Sequence, residues 1–289
     1  MNHANSSVIL IIPSASYRTN PFMDAATKLD LKVLVITDKS QVFSEYYPDN
    51  VITMNFEHWQ ESIENIREWS ERYDLKAVIG VDEESIILAA KLSESLCIEH
   101  NSLESVKLTK NKYLMRSELK KSGLKSPWFK RFSVHETPKD IFAELSFPCV
   151  LKPTFLSASQ GVLRVNSFEE FGKGCEMLSD LLAEEKVKKR GGDQANWILV
   201  EEYIPGKEVS IEGIVNDGKL KDLAIFDKPE PLEGPIFPET IFITPTILDE
   251  HLQFSLLETA QTALQALGIS KGPVHIELRI NDHGNYILE

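Results

Sequence analysis

The chain has 289 residues, about twice an ordinary domain, so two or three compact units are expected. Its 31 Lys+Arg against 44 Asp+Glu leave a net charge of −13, which argues against salt-driven binding to the two common polyanions, nucleic acid and anionic lipid. A hydrophobic content of 42% excludes a disordered chain, and the apolar run Val8–Ile12 is too short for a membrane span or a signal-peptide core.

In chain order, Val8–Ile12 reads as a strand buried on both faces and Pro21–Leu29 as a helix. A second strand follows at Lys32–Asp38. Residues 58–73 form an amphipathic helix with Ile63, Ile66 and Trp69 on one side, Leu75–Val81 another buried strand, and Glu83–Leu96 the next helix. This alternation predicts a parallel sheet covered on both sides. No GxGxxG follows the first strand and no GxxxxGK[ST] occurs, which excludes a P-loop. A single helix is predicted over Ser102–Ser122, stopped by Gly123. Strands are then expected at Pro127–Phe132, Cys149–Lys152 and Val162–Val165, with a Ser-rich loop at 154–161. Beyond them come a long helix at 167–189, a basic loop at Lys186–Gly192, and strands at Trp197–Tyr203 and Glu208–Val215. Asn216-Asp-Gly218 is a hairpin turn returning through Lys219–Phe226. A loop punctuated by Pro229, Pro231, Pro235 and Pro238, a helix at 249–267 and strands at 274–281 and 286–289 complete the chain. Cys97, Cys149 and Cys175 form no CxxC pair, so neither a disulfide framework nor a zinc site is suggested and a reducing cytoplasm is the expected location.

In the closing hairpin, Ile276, Leu278 and Ile280 share one strand face, and His275, Glu277 and Arg279 the other. A three- or five-residue loop would pair Ile280 with Tyr286 and set Glu277 opposite Glu289. Two facing carboxylates repel unless a cation lies between them, and hard oxygen ligands suit Mg2+. From these residues alone the favoured reading is a solvated polar face, or an even-numbered loop that offsets the pair. A second candidate region, Ile198–Gly213, joins an apolar strand to an acidic hinge, which offers an adenine slot and a ribose-binding carboxylate within a few residues. Lys112 and Lys152 are candidates for neutralising polyphosphate, the latter just before the loop Ser157–Gly161, whose small residues let backbone N–H groups approach phosphate.

In this order the pieces resemble the ATP-grasp superfamily, and the carboxylate–amine ligase branch that includes L-amino acid ligases in particular. Asn111–Arg116 looks like the first lysine motif, and Cys149–Pro153 with the loop to Gly161 like the second lysine and the phosphate-covering loop. Glu201–Glu208 is similar to the adenine hinge and ribose carboxylate; Glu277 and Glu289 match the two magnesium-binding acids. His275–Arg279 and Asp227–Pro235 point to the ligase branch.

The resemblance implies an α/β and α+β chain: a parallel-sheet pre-ATP-grasp domain (1–101), a small lobe with its linker helix (102–215) and a C-terminal lobe (216–289). That last lobe is expected to be truncated, since the family continues beyond the second acid with an Asn, an Arg and a substrate-facing segment. The implied activity is ATP-dependent joining of a small-molecule carboxylate to an amine through an acylphosphate, with ATP and Mg2+ (Mn2+ as an alternative), no nucleic-acid or membrane partner, and room for a homodimer. Lys112 and Lys152 would hold the α and β phosphates, and Ser157, Ser159 and Gly161 would close over the γ-phosphate. Glu201, Glu202, Tyr203, Ile204 and Leu288 would line the nucleotide slot, Glu208 would bind ribose, and Glu277 and Glu289 the metal. Lys228, His275 and Arg279 are expected near the acceptor or acylphosphate, with a satisfied core histidine as the other reading of His275. Rival readings are another ATP-grasp ligase (purine-pathway or carboxylase subunit) and a non-catalytic ATP-binding module.

Overall fold

The computed structural model describes residues 6–39, 48–229, 233–237 and 241–289. It divides into two units, Met1–Lys107 and Leu108–Glu289. In the first, strands β1 (Ser6–Ile11), β2 (Lys32–Thr37), β3 (Val51–Thr53) and β4 (Asp74–Gly80) form a parallel sheet of order β3-β2-β1-β4. Helices α1 (Thr19–Lys28), α2 (Ile63–Arg72) and α3 (Ile86–Ser95) alternate with them. Every residue of β1 is buried. Ile9 and Ile11 pack with Ile66, Trp69 and Leu92, whereas Val8 and Leu10 face Phe22 and Met23. An uninterrupted apolar strand is stable only when both faces are covered in this way.

The next two helices, α4 (Leu103–Lys110) and α5 (Lys112–Lys121), correct the expectation of one helix over 102–122. Asn111 leaves the helical region (φ −125°, ψ 105°), and its side chain accepts hydrogen bonds from the amides of Tyr113 and Leu114, which caps α5. The amide of Lys112 donates to Thr154 O, a tertiary bond that a continuous helix would forbid.

The second unit holds two four-stranded sheets. In the smaller, β5 (Phe129–Ser133), β6 (Cys149–Pro153), β7 (Leu163–Val165) and β8 (Trp197–Glu202) run antiparallel in the order β5-β8-β6-β7. Cys149, Leu151, Ile198 and Val200 turn inward against Phe171, Cys175 and Leu178 of α6 (Phe168–Ala183). Alternation therefore leaves Val150, Lys152 and Glu201 on the opposite face. The predicted helix at 167–189 is also two. It breaks at Glu184, which is extended (φ −56°, ψ 131°), and the expected basic loop 186–192 is largely a second short helix, α7 (Glu185–Gly191). Burial of Gly191 against the Phe155 ring, too close for any β-carbon, anchors that helix.

The larger sheet has the order β10-β9-β11-β12, from β9 (Lys207–Asn216), β10 (Lys219–Lys228), β11 (Lys271–Asn281) and β12 (Gly284–Ile287). The β9–β10 turn holds Asp217 and Gly218 at positive φ, the geometry that matches strand twist. Val209, Ile211, Ile276, Leu278 and Ile287 face Leu256, Ala260 and Leu264 of α8 (Glu250–Ala266). Of the predicted proline loop, Pro231 and Pro238 lie outside the described residues; Pro235 O accepts from the Arg164 amide. Among the described residues no helix is long and apolar enough to cross a membrane.

Asn111→Ala removes the α5 cap and a bond from Nδ2 to Gln194 Oε1. It is expected to lower unfolding stability by about 1–2 kcal/mol in urea titration; an unchanged midpoint would deny the cap its role.

Candidate active site

Across the larger sheet the face opposite α8 carries an unusual density of charge. Strand register sets Lys228 beside Glu208 and Glu208 beside Arg279, then Ser210 beside Glu277, then Glu212 beside His275. Such a row is tolerated only when each charge finds a partner. Lys228 Nζ lies 2.8 Å from Glu208 Oε1 and 2.6 Å from Glu277 Oε1, and Arg279 Nε donates to Glu208 Oε2 at 2.9 Å. His275 shares Nδ1 with Glu212 Oε1 at 2.6 Å and approaches Glu277 Oε1 with Nε2 at 3.4 Å.

The electrostatics follow from these distances. Burial alone would raise the Glu277 carboxyl, but the bond from His275 and the Lys228 charge outweigh it and hold the group at about 2. His275 is pushed up to about 9, chiefly by its bond with Glu277 and then by Glu212, so the ring is an imidazolium at neutral pH. Its side chain is 46% exposed, which sets aside the reading of a satisfied core histidine. Burial lowers Lys228, yet Glu277 and Glu208 together raise it above its ordinary value.

The hairpin register differs from the expected one. Asn281 pairs with Gly284 across a two-residue loop, so Ile280 faces Asn285 rather than Tyr286. An even loop of this kind would offset the two glutamates, but a β-bulge restores them. The amides of Leu288 and Glu289 both donate to Glu277 O, at 2.7 and 3.4 Å, while the Glu277 amide donates to Glu289 O at 2.9 Å. Two successive residues thus oppose one, which re-aims the strand.

Residues from both sheets line one cleft of ≈ 90 Å3. Of the residues singled out in the sequence, Lys112, Lys152, Ser159, Glu201, Glu202, Tyr203, Ile204, Glu208, Glu277, Arg279, Leu288 and Glu289 border it. Lys228 and His275 lie one residue behind, through Glu277. Ser157 and Gly161 are not part of the lining. Gly161 has φ +73° and an added β-carbon would meet Leu178, Leu181 and Pro153 at 2.9–3.0 Å, so it faces α6 rather than the cleft.

At the other side of the cleft, Lys112 Nζ donates to Leu156 O and to Glu289, and Lys152 Nζ lies 2.6 Å from Glu201 Oε2. Burial raises the Glu201 carboxyl, but the charges of Arg116 and Lys152 reverse this and hold it at about 2. Burial lowers Lys152, and Glu201 only partly offsets the effect. The sequence reading missed Arg116 as a site residue, along with Val150, Phe237 and Glu212. A signal for Arg116 existed: Lys112, Met115, Arg116 and Leu119 form the helical stripe that a core-facing helix reserves for apolar residues.

Could these residues hold a divalent cation? Among the described residues no group of three or more His, Cys, Asp or Glu side chains forms a metal cluster. Two carboxylates bordering one cleft are nevertheless the donor set Mg2+ uses when phosphate oxygens and water complete its shell. Among the described residues two buried hydroxyls lack a partner, Ser210 Oγ beside Glu277 in register and Thr154 Oγ1 next to the Lys112 contact, as expected where a ligand or water completes a polar site. The residues fit the ion.

A family profile described as an ATP-grasp domain matches residues 145–289. The chain belongs to the ATP-grasp family. An alanine–anticapsin ligase of Bacillus subtilis (strain 168) is 29% identical over 287 residues, which cover 92% of this chain and 60% of that protein. The chain thus spans about three-fifths of the length of this curated relative. The crystal structure of an L-amino acid ligase from Bacillus licheniformis matches with TM-score 0.80 and 26% identity over 99% of this chain and 68% of that one. An N5-carboxyaminoimidazole ribonucleotide synthetase bound to ADP matches with TM-score 0.71 at 19% identity, over 99% and 69% of the two chains, a likeness of fold alone. The mixed α/β architecture with its two antiparallel sheets is thus the ATP-grasp fold.

A Glu201 carboxyl held at about 2 against an ordinary 4.5 contributes stability that is complete above pH 4.5 and lost as pH falls towards 2. Urea midpoints of the wild type should therefore fall over that window, and Glu201→Gln should be less stable at pH 7 but show a flatter acid limb. Parallel acid limbs would contradict the ion-paired carboxylate.

Proposed function

We propose that this chain carries the nucleotide and metal site of an ATP-dependent carboxylate–amine ligase acting on amino-acid-type substrates. The observation that carries the reading is the pair Glu277 and Glu289, brought by the Leu288 bulge to a cleft that also holds Lys112 and Lys152. The alanine–anticapsin and L-amino acid ligases among the similar proteins support the choice of substrates. The unpaired cysteines, two of them buried with thiols raised to about 12 by burial, favour a reducing cytoplasm as the setting.

In this reading a substrate carboxylate oxygen attacks the γ-phosphorus of ATP, the bond to ADP breaks, and an acylphosphate forms. The amine nitrogen then attacks the acyl carbon, inorganic phosphate leaves, and the nitrogen gives up a proton. Such chemistry asks for positioning and charge neutralisation more than for a protein nucleophile. Lys112 and Lys152 neutralise α- and β-phosphate oxygens, leaving Glu289 and Glu201 respectively. Tyr203, Ile204 and Leu288 present apolar surface and hinge backbone to the base, and Glu208 accepts from ribose hydroxyls. The loop that brings Ser159 to the cleft covers the γ-phosphate and keeps water from the acylphosphate. Glu277 and Glu289 would hold Mg2+, which would supply positive charge to offset that of the phosphates. Lys228 and Arg279 supply positive charge towards the acyl group. His275, held between Glu212 and Glu277, stands behind the cleft near the acylphosphate.

The test is ADP and phosphate release from Mg·ATP in the presence of free L-amino acids, ribonucleotide amines or bicarbonate. Stimulation by amino acids alone is expected. Stimulation only by the others would move the protein to a purine-pathway or carboxylase activity, and binding of Mg·ATP without stimulated turnover would leave a binding module. Glu277→Gln is expected to lower turnover on the order of a hundredfold or more, with metal-free nucleotide binding little changed; full turnover would remove Glu277 from the site.

A further inference from the structure

Arg116 is 1% exposed, on a helix face otherwise given to core packing, and its hydrogen bonds lead to the candidate site. Its Nε donates to Glu201 Oε1 at 2.6 Å and Nη2 to Glu201 Oε2 at 3.4 Å. The other two bonds reach backbone: Nη1 to Ile287 O, and Nη2 to Leu288 O at 2.9 Å. Successive carbonyls of a regular strand point to opposite sides, so one guanidinium can take both only where the strand is distorted. The bulge at Leu288 is that distortion.

We propose that Arg116 is a positioning residue: by clamping the carbonyls of Ile287 and Leu288 it holds the bulge that turns Glu289 into the cleft beside Glu277. The inference rests on the Mg·ATP reading above and deepens it. Neutralising Glu201 does not by itself account for Arg116: without nucleotide, Lys152 pairs with that carboxylate as well, so the buried cluster holds two positive groups against one negative. A buried ion pair is in any case weak evidence for stability, since apolar replacements often do as well. What Arg116 does besides is bond the carbonyls of both Ile287 and Leu288. Arg116 also stands one helical turn from Lys112, whose ammonium meets the Glu289 carboxylate itself. Before nucleotide draws Lys112 away, one helix therefore fixes Glu289 twice, at its side chain and through the backbone before it; afterwards the backbone hold remains. The rigid guanidinium fork suits this task, and a lysine, with one nitrogen, cannot span a carboxylate and two carbonyls.

The experiment is calorimetric titration of ATP into the chain with EDTA and with excess Mg2+, for the wild type, Arg116→Lys and Arg116→Gln. The glutamine variant leaves Lys152 and Glu201 as a balanced pair and keeps one amide donor for the carbonyls, so it provides a folded protein where the lysine variant does not fold. In the wild type Mg2+ is expected to strengthen binding. In the variants that enhancement should fall about 10–100-fold, the usual effect of losing an outer-shell partner, with metal-free binding changed far less. A merely structural role would weaken both alike. In an Arg116→Gln/Glu289→Gln double variant the loss should not exceed that of Glu289→Gln alone, because Arg116 acts through Glu289. No enhancement by Mg2+ in the wild type would overturn the reading of the site and this inference with it. Enhancement kept in a folded Arg116 variant, equal losses with and without metal, or additive losses in the double variant would overturn the Arg116 inference alone.

Discussion

A single backbone carbonyl, that of Glu277, receives two successive amides from the facing strand, and the candidate site is organised around that departure from regular pairing. Without it, the two-residue Asp282–His283 loop would set Glu277 against Leu288, an apolar residue, and Glu289 would fall out of step. With it, Leu288 and Glu289 both border the cleft. In the proposed reading one offers apolar surface for a base and the other a hard oxygen donor, so an irregularity of one residue would convert a hairpin end into two adjacent subsites of opposite character.

Charge balance is the second constraint. Glu201, Lys152, Arg116, Glu208 and Arg279 are all buried, and each would be costly if left alone. The protein meets this by sharing: Glu201 serves Arg116 and Lys152, Glu208 serves Lys228 and Arg279, and Lys228 also serves Glu277. Several of these partners are the groups that a polyanionic nucleotide with a divalent cation would engage. In the proposed function, binding would exchange one set of ion pairs for another instead of desolvating new charges, which keeps the cost of occupancy low in a site from which water must be excluded.

Much of this was legible in the sequence, for reasons that differ between elements. Continuous apolar runs such as Val8–Ile12 and period-two alternation such as Ile276-Leu278-Ile280 report burial directly, so the parallel sheet and the closing hairpin were readable. The breaks at Asn111 and Glu184 were not, because each depends on a tertiary bond or on packing that local periodicity cannot express. Register was readable only up to the length of a loop. The loop turned out even, and the bulge that compensates for it has no sequence signature. Arg116 escaped notice because a lone charged residue on a helix is ordinarily solvated; only its place on the stripe with Met115 and Leu119 marked it as buried. The Glu212 partner of His275 became visible only once β9 and β11 were aligned.

The convergence of Glu277 and Glu289 on one ion is most directly tested by crystals of the chain grown with Mn2+ and a non-hydrolysable ATP analogue, measured at the manganese absorption edge. The account predicts an anomalous peak in coordination contact with carboxylate oxygens of both residues and with the analogue's phosphates. A peak held by other side chains, or by only one of the two glutamates, would contradict it.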